Sequence, residues 1–96
     1  AITIIFGTHS LKVIHTPGHS QGGVVFYCKE EKTLFTGDTL FRMSVGRTDL
    51  PGGSWSDLTN SLEEKIAKLP SETVAYPGHG PKTQLREEFR MNPYFH

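Results

Sequence analysis

Three residues in this chain combine a side chain able to hold a metal ion with a turn able to aim it. His19 lies in HTPGHS (residues 15–20), Asp38 in LFTGDTLF (34–41) and His79 in AYPGHG (75–80). Neutral imidazole and carboxylate bind zinc, iron or manganese, and loops at one edge of a sheet can gather such ligands across long stretches of sequence. Pro-Gly-His occurs twice in 96 residues. Proline fixes φ and glycine admits positive φ, so each turn would point its histidine reproducibly. Gly37 clears space beside Asp38, whose carboxylate could bridge two metals. The three side chains are therefore expected to converge.

Plainer readings stand beside this one. A histidine in a Pro-Gly turn is often only a polar turn residue, and Gly-Asp is a common turn pair. His15 lies four residues before His19, a spacing that places two zinc ligands on one helix face, but Pro17 and Gly18 forbid that helix and make His15 a strand residue. His9 and His96 read as solvated, Cys28 as a buried small hydrophobe and Trp55 as core. Arg47, in GRTDLPGG (46–53), either holds its loop by bidentate bonds or binds an anionic group of a substrate.

Composition narrows the partners. Ten basic and ten acidic residues cancel, which removes the electrostatic argument for a nucleic acid or a membrane surface and favours a small substrate. The aliphatic, aromatic and cysteine content of 35% supports one modest core, and no apolar run approaches the roughly 20 residues of a membrane span. The chain reads as soluble, with no signal-like start. A single cysteine excludes an internal disulfide and fits a reducing, cytoplasmic setting.

The elements that must position the three residues alternate between β and α signals, which gives an α/β (α+β) fold. ITIIF and LKVIHT read as two strands, and GGVVFYC and KTLFTG as a hairpin around KEEK. Ser54 opens a helix to about Leu69, with Asp57 placed as in a capping box and Pro70 as the stop. Trp55, Leu58, Leu62, Ile66 and Leu69 make its apolar stripe. TVAY is a further strand, residues 83–90 a short helix, and 41–53 a long loop. His19, Asp38 and His79 then all follow strand ends.

In that order, HTPGHSQGG, LFTGDTLF, GRTDLPGG, YPGHG and NPYF resemble the C-terminal half of metallo-β-lactamase-fold hydrolases, particularly the glyoxalase II-like, hydroxyacylglutathione hydrolase group. The resemblance covers about Leu11 to Phe95. It implies that residues 1–96 are a single partial domain, the C-terminal half of an αββα sandwich. It also implies that His19 ligates a first metal, that Asp38 bridges two and is the catalytic residue, and that His79 ligates the second, with zinc the foremost metal and iron or manganese as alternatives. The implied reaction is hydrolysis of a small-molecule acyl thioester, with water activated and the carbonyl polarised by the metals. Arg47 and Lys82 offer positive charge for the substrate. Members of the group carry an H-x-H-x-D-H motif upstream of the first Pro-Gly-His, and this sequence has none. The expectation is therefore a chain with weak metal binding and little activity alone, which associates with a second copy or with the missing N-terminal half. In a homodimer the contact is expected to involve Ile2 to Phe6. Two other classes fit the same motifs: an iron-dependent persulfide dioxygenase, and a non-catalytic split half.

Overall fold

A computed structural model describes residues 2–6, 9–49 and 51–95 of the chain, with only the backbone of 2–6 and His9. The strands are β1 (Ile2–Phe6), β2 (His9–His15), β3 (Val24–Cys28), β4 (Thr33–Gly37), β5 (Leu40–Phe41), β6 (Ser44–Val45), β7 (Val74–Pro77) and β8 (Thr83–Gln84). Two α-helices, α1 (Trp55–Glu64) and α2 (Leu85–Met91), and two 3-10 turns, at Ile66–Lys68 and Pro93–Phe95, complete the order. Six strands form one sheet in the order β1-β2-β3-β4-β7-β8, and β5 and β6 form a separate two-stranded ribbon.

The pairing directions place the site. β2 and β3 are antiparallel, β3 and β4 are antiparallel, and β4 and β7 are parallel, so β2, β4 and β7 all run the same way. Their C-terminal ends share one edge of the sheet. Thr16–His19, Asp38 and Gly78–His79 follow those ends.

One face of the sheet is covered. Alternation puts Val25 and Tyr27 of β3, Leu34 and Thr36 of β4 and Ala75 of β7 inward, where they meet Leu58, Leu62 and Ile66. Those three side chains are fully buried, each stabilising by about 1.5–3 kcal/mol relative to exposure. On the opposite face Phe26 lies opposite Phe35, and Phe35 beside Tyr76, in direct register across β3, β4 and β7. The Phe35 and Tyr76 rings stack at 5.8 Å and both are exposed. The association expected at Ile2 to Phe6 concerns side chains that lie outside those described, as do those of His9 and His96.

Several local expectations need correction. The helix ends as α-helix at Glu64, and a 3-10 turn carries the stripe through Ile66. Ser54 is its N-cap, its hydroxyl accepting from Asp57 N–H at 3.2 Å. The return half of a capping box is absent at this end because Ser54 N–H donates instead to Gly18 O, at 2.7 Å. Trp55 is not core: it is 51% exposed and meets Tyr94 edge-on at 5.6 Å, because the first helical turn overhangs the sheet and the buried stripe begins at Leu58. The loop 41–53 contains the β5–β6 ribbon, whose turn holds Met43 at φ 62. The second short helix starts at Leu85, since Thr83 and Gln84 pair with Ala75 and Val74 as an edge strand. Phe35 of β4 is exposed on the uncovered face, and Cys28 is buried as expected. Among the described residues no helix is long and apolar enough to cross a membrane.

Candidate metal centre

His19 is aimed by what surrounds it. Thr16 N–H donates to Gly23 O at 2.8 Å and closes the loop that follows β2. Gly18, at φ 145, presses its backbone against Leu58 of α1, where a side chain would collide with the Leu58 backbone. The imidazole Nδ1 lies 2.8 Å from Arg47 O. A carbonyl only accepts, so Nδ1 carries a proton, and in the neutral ring Nε2 is then the nitrogen with the free lone pair, the tautomer of a histidine ligand held by a backbone partner. That Nε2 lies 3.9 Å from Asp38 Oδ2.

Asp38 stands where β4 leaves the sheet. The β4–β7 pairing shifts register between Phe35 and Gly37, Gly37 turns at φ 51, and Thr39 N–H donates to Thr36 O at 2.9 Å. Below the carboxylate, Thr36 Oγ1 donates to Leu40 O at 2.8 Å, and the buried hydroxyls of Thr16 and Thr39 meet at 3.3 Å. The floor under Asp38 is thus tied to both β2 and β5, and its side chain is left half-exposed (48%).

His79 arrives from the other side. Gly78 N–H donates to Gly37 O at 2.8 Å, which binds the second Pro-Gly-His turn to the end of β4. The imidazole lies nearly parallel to the Phe41 ring, with centroids 6.4 Å apart, and its Nε2 is 3.5 Å from Asp38 Oδ1. The three residues expected to converge do so, with the two carboxylate oxygens facing two different imidazoles.

Both separations are too long for direct hydrogen bonds. The 3.5 Å pair matches the separation of two ligands held about 2.0–2.2 Å from one ion at a tetrahedral angle, and the 3.9 Å pair is slightly wider. The donor set fits zinc, iron or manganese on that measure. Among the described residues, no group of three His, Cys, Asp or Glu side chains is already drawn together as a closed metal cluster. One carboxylate and two imidazoles arranged pairwise therefore offer two half-built positions rather than one finished one.

The two expected substrate cations have protein partners of their own. Arg47 Nε and Nη2 donate to Asp49 Oδ1 and Oδ2 at 2.8 and 3.0 Å, a bidentate pair that closes its loop. The hydrogen bond and charge of Asp49 raise the Arg47 pKa, and those of Arg47 lower that of Asp49. Lys82 Nζ lies 6.0 Å from the centre of the Tyr76 ring. His15 is a strand residue, as expected; its Nε2 donates to Gln21 O at 2.8 Å, and its carbonyl accepts from Lys65.

Sequence reasoning missed two contributors. The Arg47 carbonyl orients His19, a role that no side-chain pattern can announce. Gly46 is buried against the Asp38 carbonyl and the His19 Cβ, so no side chain fits between the two. A glycine beside Arg47 was the available signal.

The family model of the metallo-beta-lactamase superfamily matches residues 2–79, and the chain belongs to that superfamily. It is 38% identical over 85 residues to hydroxyacylglutathione hydrolase GloC of Haemophilus influenzae, covering 88% of this chain and 40% of that protein. Among solved structures it resembles TTHA1623 in a di-iron-bound form, at 49% identity and a TM-score of 0.86, covering 95% of this chain and 44% of that one. It also resembles ETHE1 from Myxococcus xanthus, at 35% identity and a TM-score of 0.89, with coverage of 96% and 42%. The chain spans less than half the length of the curated relatives it matches.

Proposed function

We propose that this chain supplies one side of a two-metal hydrolytic centre that cleaves a small acyl thioester, in the manner of glyoxalase II. The observation that carries the reading is Asp38: its Oδ2 faces His19 Nε2 and its Oδ1 faces His79 Nε2. His19 would hold one metal, His79 the other, and Asp38 both. Bound there, a metal pair supplies Lewis acidity that makes water nucleophilic near neutral pH and polarises an acyl carbonyl. The chain's own contribution is placement. The Arg47 carbonyl keeps a proton on His19 Nδ1 and so leaves Nε2 free to ligate, while the Gly37–Gly78 hydrogen bond holds Asp38 beside His79. The similarity to GloC supports hydroxyacylglutathione as the substrate class.

The remaining ligands would come from an H-x-H-x-D-H segment, which this sequence lacks. Assayed with an acyl-glutathione ester and added zinc, iron or manganese, the 96-residue chain is expected to turn over little or nothing alone. Combined with a polypeptide carrying the N-terminal half of the fold, it should gain turnover that Asp38→Ala abolishes. Full activity in the isolated chain, or activity in the combination that survives Asp38→Ala, would contradict the reading. A second reading is an iron-dependent persulfide dioxygenase. The di-iron-bound state of a 49%-identical structure supports keeping iron in view, and oxygen consumption with glutathione persulfide separates the two.

A further inference from the structure

Glu88 is fully buried in a chain whose other acidic side chains lie nearer the surface. Burying a carboxylate is costly unless donors surround it, and here three do. Its Oε1 accepts from Met43 N–H and from Asn92 Nδ2, both at 2.8 Å, and its Oε2 accepts from Thr83 Oγ1 at 2.8 Å. Two of these donors belong to α2 and its approach. The third, Met43, is the turn of the β5–β6 ribbon, 45 residues away in sequence.

That turn is an unfavourable one. A non-glycine residue at φ 62 costs about 1–2 kcal/mol and persists only where its surroundings fix it. Glu88 fixes Met43 through its N–H. Asn92, itself held by Glu88, donates to the carbonyl of the next residue, Ser44, at 3.2 Å. The ribbon is therefore gripped at two consecutive residues, in its turn and at the start of β6, by the buried pair Glu88 of α2 and Asn92 at its C-cap.

What the ribbon carries gives the grip its consequence. Phe41, paired with Ser44 across the ribbon, stacks on His79. Immediately after Val45, Gly46 N–H donates to Thr39 O at 3.1 Å, and Arg47 O holds His19 Nδ1. Each of the two imidazoles thus takes one of its contacts from a residue within four positions of Met43.

We propose that Glu88 is a positioning residue for both histidines, acting through the β5–β6 ribbon rather than by touching a metal or a substrate. The proposal rests on the reading of His19 and His79 as ligands, and its test uses neither metal nor substrate, so the two can fail separately. A carboxylate suits the place because it accepts at both oxygens from three donors. Glutamine keeps the shape and can turn its amide toward Thr83, whose hydroxyl can accept as well as donate.

The test is nuclear magnetic resonance of the histidine rings in the full 96-residue chain. In Glu88→Ala, the His79 ring protons should move to the positions they take in Phe41→Ala, and His19 should lose its fixed Nδ1–H tautomer. The methyl signals of Val25 and Leu34 should stay in place. Glu88→Gln should restore both imidazoles, whereas Glu88→Met, which fills the same space without accepting from Met43, Asn92 or Thr83, should not, a difference that simple loss of packing would not show. Thr83→Val, which removes only the Oε2 bond, should move the His79 signals part of the way in the same direction. Imidazole signals unchanged in Glu88→Ala overturn the proposal; if that variant does not fold, unchanged His79 signals in Thr83→Val overturn it equally.

Discussion

The two Pro-Gly-His turns share a sequence and differ in how they are built. In the first, Gly18 is wedged under Leu58, its carbonyl accepts the first helical cap's N–H, and the His19 ring is held by a carbonyl. The His19 side chain is 28% exposed. In the second, the turn hangs from the end of β4 by one backbone hydrogen bond, and the His79 side chain, 82% exposed, rests on one aromatic ring. The same three residues hold one histidine against the packed start of α1 and leave the other adjustable. Pro-Gly fixes how the chain bends; what packs against the bend decides how firmly the histidine is held.

The sharpest way to break this contrast is to put the same methyl group into both turns. Gly18→Ala forces a side chain into the Leu58 backbone at a φ that L-residues avoid, so a loss of about 3 kcal/mol or more is expected from strain and overpacking together. At Gly78 the added carbon would lie 3.3 Å from Gly37 O and 3.4 Å from Asp38 Oδ1. A small adjustment of an exposed turn accommodates it, and Gly78→Ala should cost about 1 kcal/mol or less. Urea unfolding of the two variants measures the difference, and equal losses would erase the distinction between the turns.

A smaller effect is expected at the cap that ties the first turn to α1. Ser54→Ala removes the acceptor for Asp57 N–H, which should cost about 1 kcal/mol. Because Ser54 N–H is already taken by Gly18 O, Asp57→Asn should cost distinctly less in the same unfolding experiment. A loss at Asp57 as large as that at Ser54 would show a reciprocal capping box after all.

The smallest effect belongs to the Arg47–Asp49 pair, both exposed at the surface. Asp49 has its pKa lowered first by the Arg47 hydrogen bond, and also by backbone hydrogen bonding and the Arg47 charge. A carboxylate whose folded pKa lies below its unfolded value stabilises the chain above that unfolded value and loses the contribution as pH falls through the folded one. Acid unfolding of Asp49→Asn should therefore lack a small, salt-sensitive component between those two values that the native chain shows. Since this pair closes the loop whose carbonyl holds His19, Asp49→Asn should also disturb His19 more than His79.

Strand ends were legible because their signals are local: apolar runs stop at Pro-Gly or Gly-Asp, and His19, Asp38 and His79 follow. Their convergence was expected from the idea of a shared sheet edge, and the parallel β4–β7 pairing realises it. Trp55 was misplaced because helical periodicity assigns a face without saying how far the sheet extends beneath it. The β5–β6 ribbon was missed because two-residue strands carry no periodicity, and its turn depends on Glu88, a residue that reads from sequence as one more charge on a short helix. The Arg47 carbonyl was invisible in principle, since every residue has one.

The central claim is that one carboxylate joins two histidines of unequal rigidity into a metal site, and zinc titration followed on the imidazole signals of His19 and His79 tests it most directly. In the native chain both histidines should respond over the same weak range of zinc concentration, and Asp38→Ala should remove both responses together. Two responses that persist unchanged without Asp38, or a response confined to one histidine, would contradict it.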